Sequence, residues 1–293
     1  MRLKRLTAGL SPYGFIAPAI ILICIFGFIP LILAVYVSLF KFPLVNPAMR
    51  QFIGLKNYID LFQDTGLRTA FLNTVFYTVL LVPTQCVLAL ILALLIEKPL
   101  RGIGLFRTLF YVPVVISMVV ASTIWKVMID SQSGIINSVL AWLGLPRLAF
   151  LSSVQQALPT IAAILSWKWA GFSMIILLAG LHAIPGQLYE VAELDGASGW
   201  QTFWHVTLPL LRGPAVYVLV TNLINAAKLF TPVYIMTQGG PQESTSVMVF
   251  YIYQQAFTFG QLGYATAIAV VFTVFLVLIS ITQLRILRRA EIN

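Results

Sequence analysis

The sequence predicts an all-α fold, a polytopic membrane bundle of six transmembrane helices that forms a single domain over residues 1–293. Two observations support this fold class. The chain is 60% hydrophobic and only 9% charged, with a mean hydropathy of +0.95, whereas an ordinary soluble domain has roughly 25% charged residues. In addition, six apolar windows reach or approach the roughly 20 residues that a helix needs to cross the hydrocarbon core.

The six predicted spans are apolar runs separated by more polar segments. They cover residues 15–40, 70–96, 108–125, 158–181, 215–236 and 264–284. Each must be helical, because hydrocarbon offers no partner for an unpaired backbone group. The first span is predicted to be retained, since its apolar run is much longer than that of a cleaved signal peptide. Kinks are expected where prolines lie inside the spans or near their ends, at Pro30, Pro83, Pro113 and Pro232.

The distribution of basic residues predicts that both termini are cytoplasmic. Ten Lys and Arg lie in the segments on the side of the termini: Arg2, Lys4, Arg5, Lys98, Arg101, Arg107, Arg212, Arg285, Arg288 and Arg289. Six lie on the other side: Lys41, Arg50, Lys56, Arg68, Lys126 and Arg147. Basic residues are enriched in cytoplasmic loops, which assigns the side with ten to the cytoplasm. The net charge of +9 therefore reflects topology, and no nucleic-acid partner is expected.

The longest cytoplasmic loop, residues 182–214, departs from this charge rule. It contains Glu190, Glu193 and Asp195, three of only nine acids in the chain. Residues 187–194 are good helix formers, and Gly196 is placed to end that helix in a left-handed conformation. Ser198 and Gln201 have the spacing of a capping box for a second helix over residues 200–206, which Pro209 is expected to close. The loop is therefore predicted to be a helical hairpin.

Two interpretations of this hairpin remain open from the residues alone. It can be a docking element for another protein, in which case the acids face that protein. It can instead lie at the membrane surface, anchored by Trp200, Phe203 and Trp204. Anionic lipid headgroups would repel the acids, which favours protein docking.

The loop sequence resembles that of a known family. The loop contains Glu190-Val191-Ala192, then three residues, Gly196, nine residues and Val206-Thr207-Leu208-Pro209. This pattern closely resembles the cytoplasmic "EAA" loop of binding-protein-dependent ABC importer permeases. The chain is similar in particular to the carbohydrate-uptake branch, the maltose-type and glycerol-phosphate-type permeases. The resemblance extends over nearly the whole chain, through the stretches FIGLKNYIDLF, FYVPVVIS and TQGGPQESTSVMVFYIYQQAF. The departures are slight, with Val191 where the motif usually has Ala and Val206 where it usually has Ile.

The resemblance implies a permease subunit in a bacterial inner membrane, surrounded by lipid. Its implied partners are a second, homologous permease, two cytoplasmic ATPase subunits and an external solute-binding protein. This chain would bind no cofactor, because ATP and Mg²⁺ would be held by the ATPase. The substrate would be a sugar, an oligosaccharide, a polyol or a glycerol phosphate. The residues implied to couple the loop to the ATPase are Glu190, Ala192, Asp195, Gly196, Ala197, Leu208 and Pro209.

The resemblance also assigns roles within this loop. Glu190 would make a polar contact to the ATPase, Gly196 would allow the tight turn, and Pro209 would fix where the fifth span begins. No signature for catalysis or metal binding accompanies these residues: the chain has neither a G-x-x-x-x-G-K-[ST] nor an H-E-x-x-H pattern, and it has only two histidines. No enzyme activity, catalytic residue or metal site is therefore expected in this chain.

Polar residues inside the spans are candidates for a substrate path. Tyr217, Thr221, Asn225 and Lys228 share one face of the fifth span, where they could line an aqueous route or bond to neighbouring helices. The charge of Lys228 favours a polar cavity. Lys168 lies in the middle of the fourth span, where its ammonium should face water or a partner, unless it reaches outward to the headgroups.

Two other classes of membrane protein compete with the importer. An ion-coupled secondary carrier of small polar solutes would be expected to have a titratable acid within a span, and none of the nine acids lies deep in one. A membrane anchor that only scaffolds other proteins would require neither the polar face of the fifth span nor the cytoplasmic hairpin.

Overall fold

The structure is a computed structural model that describes residues 15–97 and 102–292. Of the residues that contribute to the predicted orientation, five lie outside the described residues: Arg2, Lys4, Arg5, Lys98 and Arg101. The described part of the chain is helical almost throughout, which confirms the predicted fold class. Its helices are α1 (Phe15–Ser38), α2 (Lys56–Asp60), α3 (Thr65–Glu97), α4 (Ile103–Val115), α5 (Met118–Met128), α6 (Ile135–Trp142), α7 (Ala157–His182), α8 (Gly186–Leu194), α9 (Gly199–Leu210), α10 (Arg212–Ala227), α11 (Met248–Tyr253) and α12 (Leu262–Ile292).

Within residues 15–97 and 102–292, four helices are long and apolar enough to cross a membrane unbroken, namely α1, α3, α7 and the segment Leu262–Gln283 of α12. Two further spans are bent pairs, with 97° between α4 and α5 and 66° between α9 and α10. Counting each bent pair as one span gives the six that the sequence predicts. The bend between α4 and α5 follows Pro113, where a kink was expected.

The third span, predicted as one helix over residues 108–125, is broken in its middle. Pro113 lies in the last turn of α4, and both Ile116 and Ser117 have extended backbone, with ψ of 134° and 141°. Proline has no N–H to give to the helix and its ring crowds the preceding turn, which weakens the helix locally. The helix restarts at Met118 in a different direction.

The fifth span, predicted over residues 215–236, is shifted towards the N-terminus. Its helix α10 begins at Arg212 and ends at Ala227, with Lys228 as the cap. Pro232 then precedes a π-helical turn, Val233–Thr237, rather than lying in a continuous helix. The interruption lies at Lys228 to Phe230, and the chain is helical again from Thr231, so that Pro232 lies in the first turn of the new segment, where its missing N–H is least needed.

The chain divides into two compact units, and the expectation of a single domain over residues 1–293 stays a prediction. One unit comprises residues 1–64 and 252–274, and the other comprises residues 65–251 and 275–293. In the first unit, α1 is apolar and exposed along most of its length. Its end is held by Asn57, whose Nδ2 donates to the carbonyl oxygens of Ser38 at 2.7 Å and Phe40 at 3.0 Å. There β1 (Phe40–Lys41) pairs antiparallel with β2 (Gln51–Phe52).

The larger unit is organised around α7, the most buried of the spans. One apolar core joins α7 to α3 and to the segments after α10, through Tyr77, Ile161 and Val233 among others. A second core joins α7, α3 and the bend between α9 and α10, through Met174 and Leu211 among others. Because both cores include α7, this helix is the scaffold on which the candidate sites are built.

Candidate functional site

A cavity of about 330 Å³ lies beside α7, walled by α3, α5, α10 and the segment that follows α10. Polar groups on its wall include Gln85, Asn222, Asn225 and Lys228, and aromatic rings on its wall include Tyr77, Trp169 and Phe172. Amides and an ammonium can hydrogen-bond to hydroxyl or anionic groups, while aromatic faces pack against apolar carbon surfaces. A pocket with this combination suits a polar solute that also has apolar faces.

The predicted polar face of the fifth span is divided between two environments. Asn225 and Lys228 line the cavity. Tyr217 and Thr221 lie nearer the N-terminus of α10 and do not belong to the cavity lining. The Thr221 hydroxyl donates to the carbonyl oxygens of Tyr217 at 2.9 Å and Val218 at 3.0 Å, and is therefore bonded within its own helix. That Asn225 and Lys228 contribute to a substrate path stays a prediction. For Tyr217 and Thr221 the same prediction finds no support in this cavity.

A buried hydrogen-bond cluster beside the cavity was not predicted. Gln85 of α3 donates through Nε2 to Asn222 Oδ1 of α10 at 3.1 Å and to Ser173 Oγ of α7 at 3.3 Å. All three side chains are buried, with exposures of 4% or less. The cluster thus ties three spans together where two of its members reach the cavity wall. The only signal for it in the sequence was a polar residue in each of three apolar runs, and each run contains other polar residues as well.

Lys168 has a protein partner, which is one of the two environments that the sequence predicts for an ammonium inside the span. It is 2% exposed, so the alternative in which it reaches the headgroups is wrong. Its Nζ donates to the carbonyl oxygens of Pro113 at 2.9 Å and Val114 at 3.4 Å, and also to that of Ile116. The ammonium therefore has a partner, the C-terminal end of α4, and its side chain is not part of the cavity lining.

The loop of residues 182–214 forms the predicted hairpin from α8 and α9. Gly196 has φ of +75°, a conformation that only glycine adopts cheaply. The amide of Ala197 donates to the Ala192 carbonyl at 2.9 Å and that of Gly196 to the Glu193 carbonyl at 3.0 Å, which closes α8. Ser198 and Gln201 form the predicted capping box at the start of α9.

The end of the hairpin corrects the expectation for Pro209. Helix α9 passes through Pro209 to Leu210, and the chain bends at Leu211. A π-helical turn, Phe203–Thr207, precedes the proline, which then begins a new helical turn where its missing N–H is least needed. Leu211 is fully buried, and a Cβ on Gly180 of α7 would approach within 2.9 Å of its side chain. Close packing at Leu211, rather than Pro209 itself, marks where the fifth span begins.

The solvent-exposed surface of the hairpin contains both apolar and acidic side chains. No residue of α8 is buried, and Leu188, Val191 and Leu194 expose 41%, 54% and 87% of their surface on one face. Glu190 and Glu193 on the same helix are exposed. A hydrogen bond of 3.2 Å between the Tyr189 and Thr207 hydroxyls joins the two helices. Of the other predicted coupling residues, Asp195, Gly196 and Pro209 are exposed, and Ala192, Ala197 and Leu208 are half-buried.

Aromatic side chains extend this exposed surface onto α9. Trp200 exposes 70% of its surface and Trp204 48%, and the rings of Trp200 and Phe203 stack at 6.1 Å. These rings would suit either a protein partner or the membrane surface. Among the described residues, no group of three or more His, Cys, Asp or Glu is placed to hold a metal ion.

Comparison with known proteins gives a consistent result. The sulfoquinovosyl glycerol transport system permease protein SmoG of Agrobacterium fabrum is 34% identical over 276 residues, covering 94% of this chain and 90% of that protein. The lactose transport system permease protein LacF of Rhizobium radiobacter is 34% identical over 275 residues, covering 92% and 91%. A bacterial alginate ABC transporter, solved in complex with an alginate pentasaccharide-bound periplasmic protein, contains a chain that superposes with a TM-score of 0.85 at 26% identity. The match covers 97% of this chain and 98% of that one.

The family model that matches covers most of the chain, residues 65–292, and is described as the binding-protein-dependent transport system inner membrane component. That range contains the cavity and the hairpin. A six-span helical fold, a hairpin with the EAA-type spacing and full-length relatives in transport systems agree with this match. The chain belongs to the family of binding-protein-dependent transport system inner membrane components.

Proposed function

We propose that this chain is one of two permease subunits of an ATP-driven importer, and that its cavity lies on the path of a sugar or a related polyol or glycerol-phosphate solute. The main support is the cavity wall, which contains amide groups and Lys228 together with the rings of Trp169, Phe172 and Tyr77. Hydroxyl-rich rings offer both hydrogen-bonding edges and apolar faces to such a wall. The names of SmoG and LacF, which refer to a glycoside and a disaccharide, agree with this class of solute.

The proposed path is tested by removing the polar groups on the cavity wall. Asn225→Ala and Lys228→Met each remove one hydrogen-bonding group, and should weaken the apparent affinity for the solute about tenfold, as expected for a hydrogen bond to a charged or well-ordered polar group. The assay is uptake into proteoliposomes containing the complete transporter, with lactose, maltose and glycerol 3-phosphate as labelled probes.

A matched control comes from the residue next to Gln85. Thr84 is exposed, and its hydroxyl bonds to the Leu80 carbonyl of its own helix at 2.7 Å. Thr84→Val therefore alters a polar residue of α3 outside the cavity, and uptake should stay normal. Unchanged apparent affinity in both Asn225→Ala and Lys228→Met would contradict the proposed path.

The hairpin is proposed to dock on a cytoplasmic ATPase subunit, with two such subunits in the transporter. Its support is an apolar stripe along Leu188, Val191 and Leu194, which is exposed in the isolated chain and flanked by Glu190 and Glu193. ATP and Mg²⁺ would bind to the ATPase and not to this chain. Replacement of residues 190–209 by a flexible linker should abolish co-purification with the ATPase, whereas the same length of linker in the external segment 41–60 should not.

The proposed orientation places the hairpin and both termini in the cytoplasm, with a solute-binding protein on the opposite face. The solved alginate transporter with its bound periplasmic protein is consistent with such an external partner. A cysteine introduced by Glu193→Cys, in a chain with Cys24→Ser and Cys86→Ala, should be labelled by an impermeant thiol reagent only from the cytoplasmic side. Labelling only from the outside would overturn the orientation and the ATPase assignment together.

The competing classes are less consistent with these observations. Among the described residues, no acid lies in the interior of a span, since Glu97 is the last residue of α3. An ion-coupled carrier thus has no evident proton or cation relay. The family match is to a component of a transport system rather than to an enzyme or a passive anchor.

A further inference from the structure

The break between α4 and α5 exposes backbone carbonyl groups inside a membrane span. The last turn of any helix has carbonyl oxygens without intrahelical partners. Here Ile116 and Ser117 are extended, so the restart of the helix at Met118 does not supply those partners. At membrane depth such groups are tolerated only where other protein groups or the water of a cavity satisfy them.

Lys168 satisfies several of these carbonyl groups at once. An ammonium has three N–H donors, and Nζ contacts three carbonyl oxygens, those of Pro113, Val114 and Ile116. Its positive charge also lies at the C-terminal end of α4, where the helix dipole favours a cation. The match in number, position and charge indicates that Lys168 holds the break in its bent form.

The fourth span is shaped to bring Lys168 to the break. One turn further along α7, Gly171 faces the backbone of α4, and a Cβ at that position would overlap the Phe110 carbonyl oxygen. Only glycine allows the two helices to approach so closely here. Since α7 belongs to both apolar cores, Lys168 ties the break to the most buried helix of this unit.

The bend also determines part of the cavity wall. Met118, the first residue after the break, lines the cavity, and so does Trp169, the neighbour of Lys168. The Trp169 ring lies 5.2 Å from Nζ. A change in the direction of α5 would therefore move Met118 relative to a wall that α7 holds in place.

We propose that Lys168 is a positioning residue of the transport path: by binding the carbonyl groups at the break in the third span, it fixes the bend that places Met118 on the cavity wall. This inference rests on the proposed function of the cavity. Lys168 itself does not contact the solute, and it acts only through the backbone of α4 and the direction of α5.

The test measures the accessibility of the cavity wall, which requires no knowledge of the solute. Met118→Cys is introduced into the complete transporter in lipid nanodiscs, with Cys24→Ser and Cys86→Ala, and is labelled with the cationic reagent trimethylammonium-ethyl methanethiosulfonate. Lys168→Met, which keeps the length of the side chain but removes its donors, should change the labelling rate about tenfold, because several interhelical hydrogen bonds are lost together. Lys168→Arg keeps charge and donors and should restore a rate near that of the parent.

A second reporter separates positioning from general destabilisation. Phe172→Cys places the thiol on the cavity wall but on α7, and its labelling rate should be the same with Lys168 and with Lys168→Met. Equal changes at both reporters, or no change at Met118→Cys, would overturn the proposal. If Lys168→Met fails to accumulate, Lys168→Gln replaces it, because this side chain keeps two donors without the charge. The labelling rate at Met118→Cys should then be intermediate. A rate equal to that of the parent would overturn the proposal.

The outcome can be distinguished from failure of the proposed function. If Asn225→Ala and Lys228→Met leave uptake normal, the cavity is not on the path, yet the labelling experiment still shows whether Lys168 holds the bend. If the cavity variants impair uptake but the labelling rates do not respond to Lys168→Met, the path stands and the positioning role is rejected.

Discussion

Gly196 permits a sharp test of how the hairpin works, because its backbone and its surface position can be separated. Its φ is +75°, and nothing lies within 4 Å of the position that a Cβ would occupy. A side chain at this position therefore meets no obstacle within the chain. Any effect of Gly196→Ala on the isolated subunit must come from the left-handed backbone alone.

The expected size of this effect follows from the backbone preference. A non-glycine residue in the left-handed region is disfavoured by about 1–2 kcal/mol, which reduces the population of the closed turn roughly 5- to 30-fold relative to open forms. The two amide bonds that close the turn, from Ala197 to Ala192 and from Gly196 to Glu193, would fray with it. Gly196→Asn should cost less, since Asn tolerates this conformation better.

Gly196→Arg has the same backbone cost within the chain, but it adds a long side chain to the exposed surface. If that surface docks on an ATPase, Gly196→Arg must weaken association more than Gly196→Ala does, although hydrogen exchange of the Ala197 amide in the isolated chain is equally fast in both. Gly199→Ala is the matched control, since Gly199 has no positive φ and has equally open surroundings.

The assays are hydrogen exchange of the purified subunit and ATP-dependent uptake by the assembled transporter. Gly196→Arg should insert normally but fail to couple uptake to ATP. The proposed role of Gly196 is wrong if Gly196→Ala behaves like Gly199→Ala in both assays, or if Gly196→Arg retains uptake at the parent rate.

Three further substitutions test other parts of the structure. Gly171→Ala should lower the free energy of unfolding by about 1–3 kcal/mol, because its Cβ would overlap the Phe110 carbonyl oxygen. Thermal unfolding measures the loss. Gly104→Ala is the control, since the surroundings of Gly104 are open. Gln85→Leu should cost about 1 kcal/mol in the same assay through the loss of its two hydrogen bonds, and an unchanged unfolding temperature would contradict a structural role for that cluster. Hydrogen bonds from the backbone and side chain of Ser133 and from the Gln132 amide lower the pKa of Asp130 in the folded chain. These bonds stabilise the turn fully when the pH is above the pKa that Asp130 has in the unfolded chain. The stabilisation is lost as the pH falls through the lower pKa of the folded chain. Protease sensitivity of the turn should therefore rise in strong acid, and Asp130→Asn should remove that dependence on pH.

The hairpin could be predicted almost completely because its determinants are local. The glycine that ends α8 and the capping box that begins α9 lie within six residues of each other, from Gly196 to Gln201. Signals of this kind act through backbone groups a few residues away, so one sequence suffices to recognise them. The expectation for Pro209 was wrong because nothing in the local sequence indicates the π-helical turn before it, after which the proline begins a new helical turn.

The cavity could be predicted only in part, because periodicity gives the face of a helix and not its depth. A spacing of three and four placed Tyr217, Thr221 and Asn225 on one side of α10, yet only the last of these reaches the cavity. Gln85 and Ser173 lie 88 residues apart in sequence, and nothing in either span indicates that they meet. Tertiary packing decides both matters.

The broken third span shows why two anomalies in a membrane sequence should be considered together. Pro113 weakens one span, and Lys168 places a charge in another, 55 residues away. Taken separately, each is unfavourable in hydrocarbon: the end of the helix after Val115 leaves backbone carbonyl groups without intrahelical partners, and the ammonium lacks water. In the fold each supplies what the other needs, since the freed carbonyl oxygens accept the hydrogen bonds of the ammonium. A hydropathy average over either span hides this pairing, because it sums apolar side chains and takes no account of backbone groups. A Lys inside one span is therefore a reason to look for a broken helix in the neighbouring spans, such as the one that ends after Pro113.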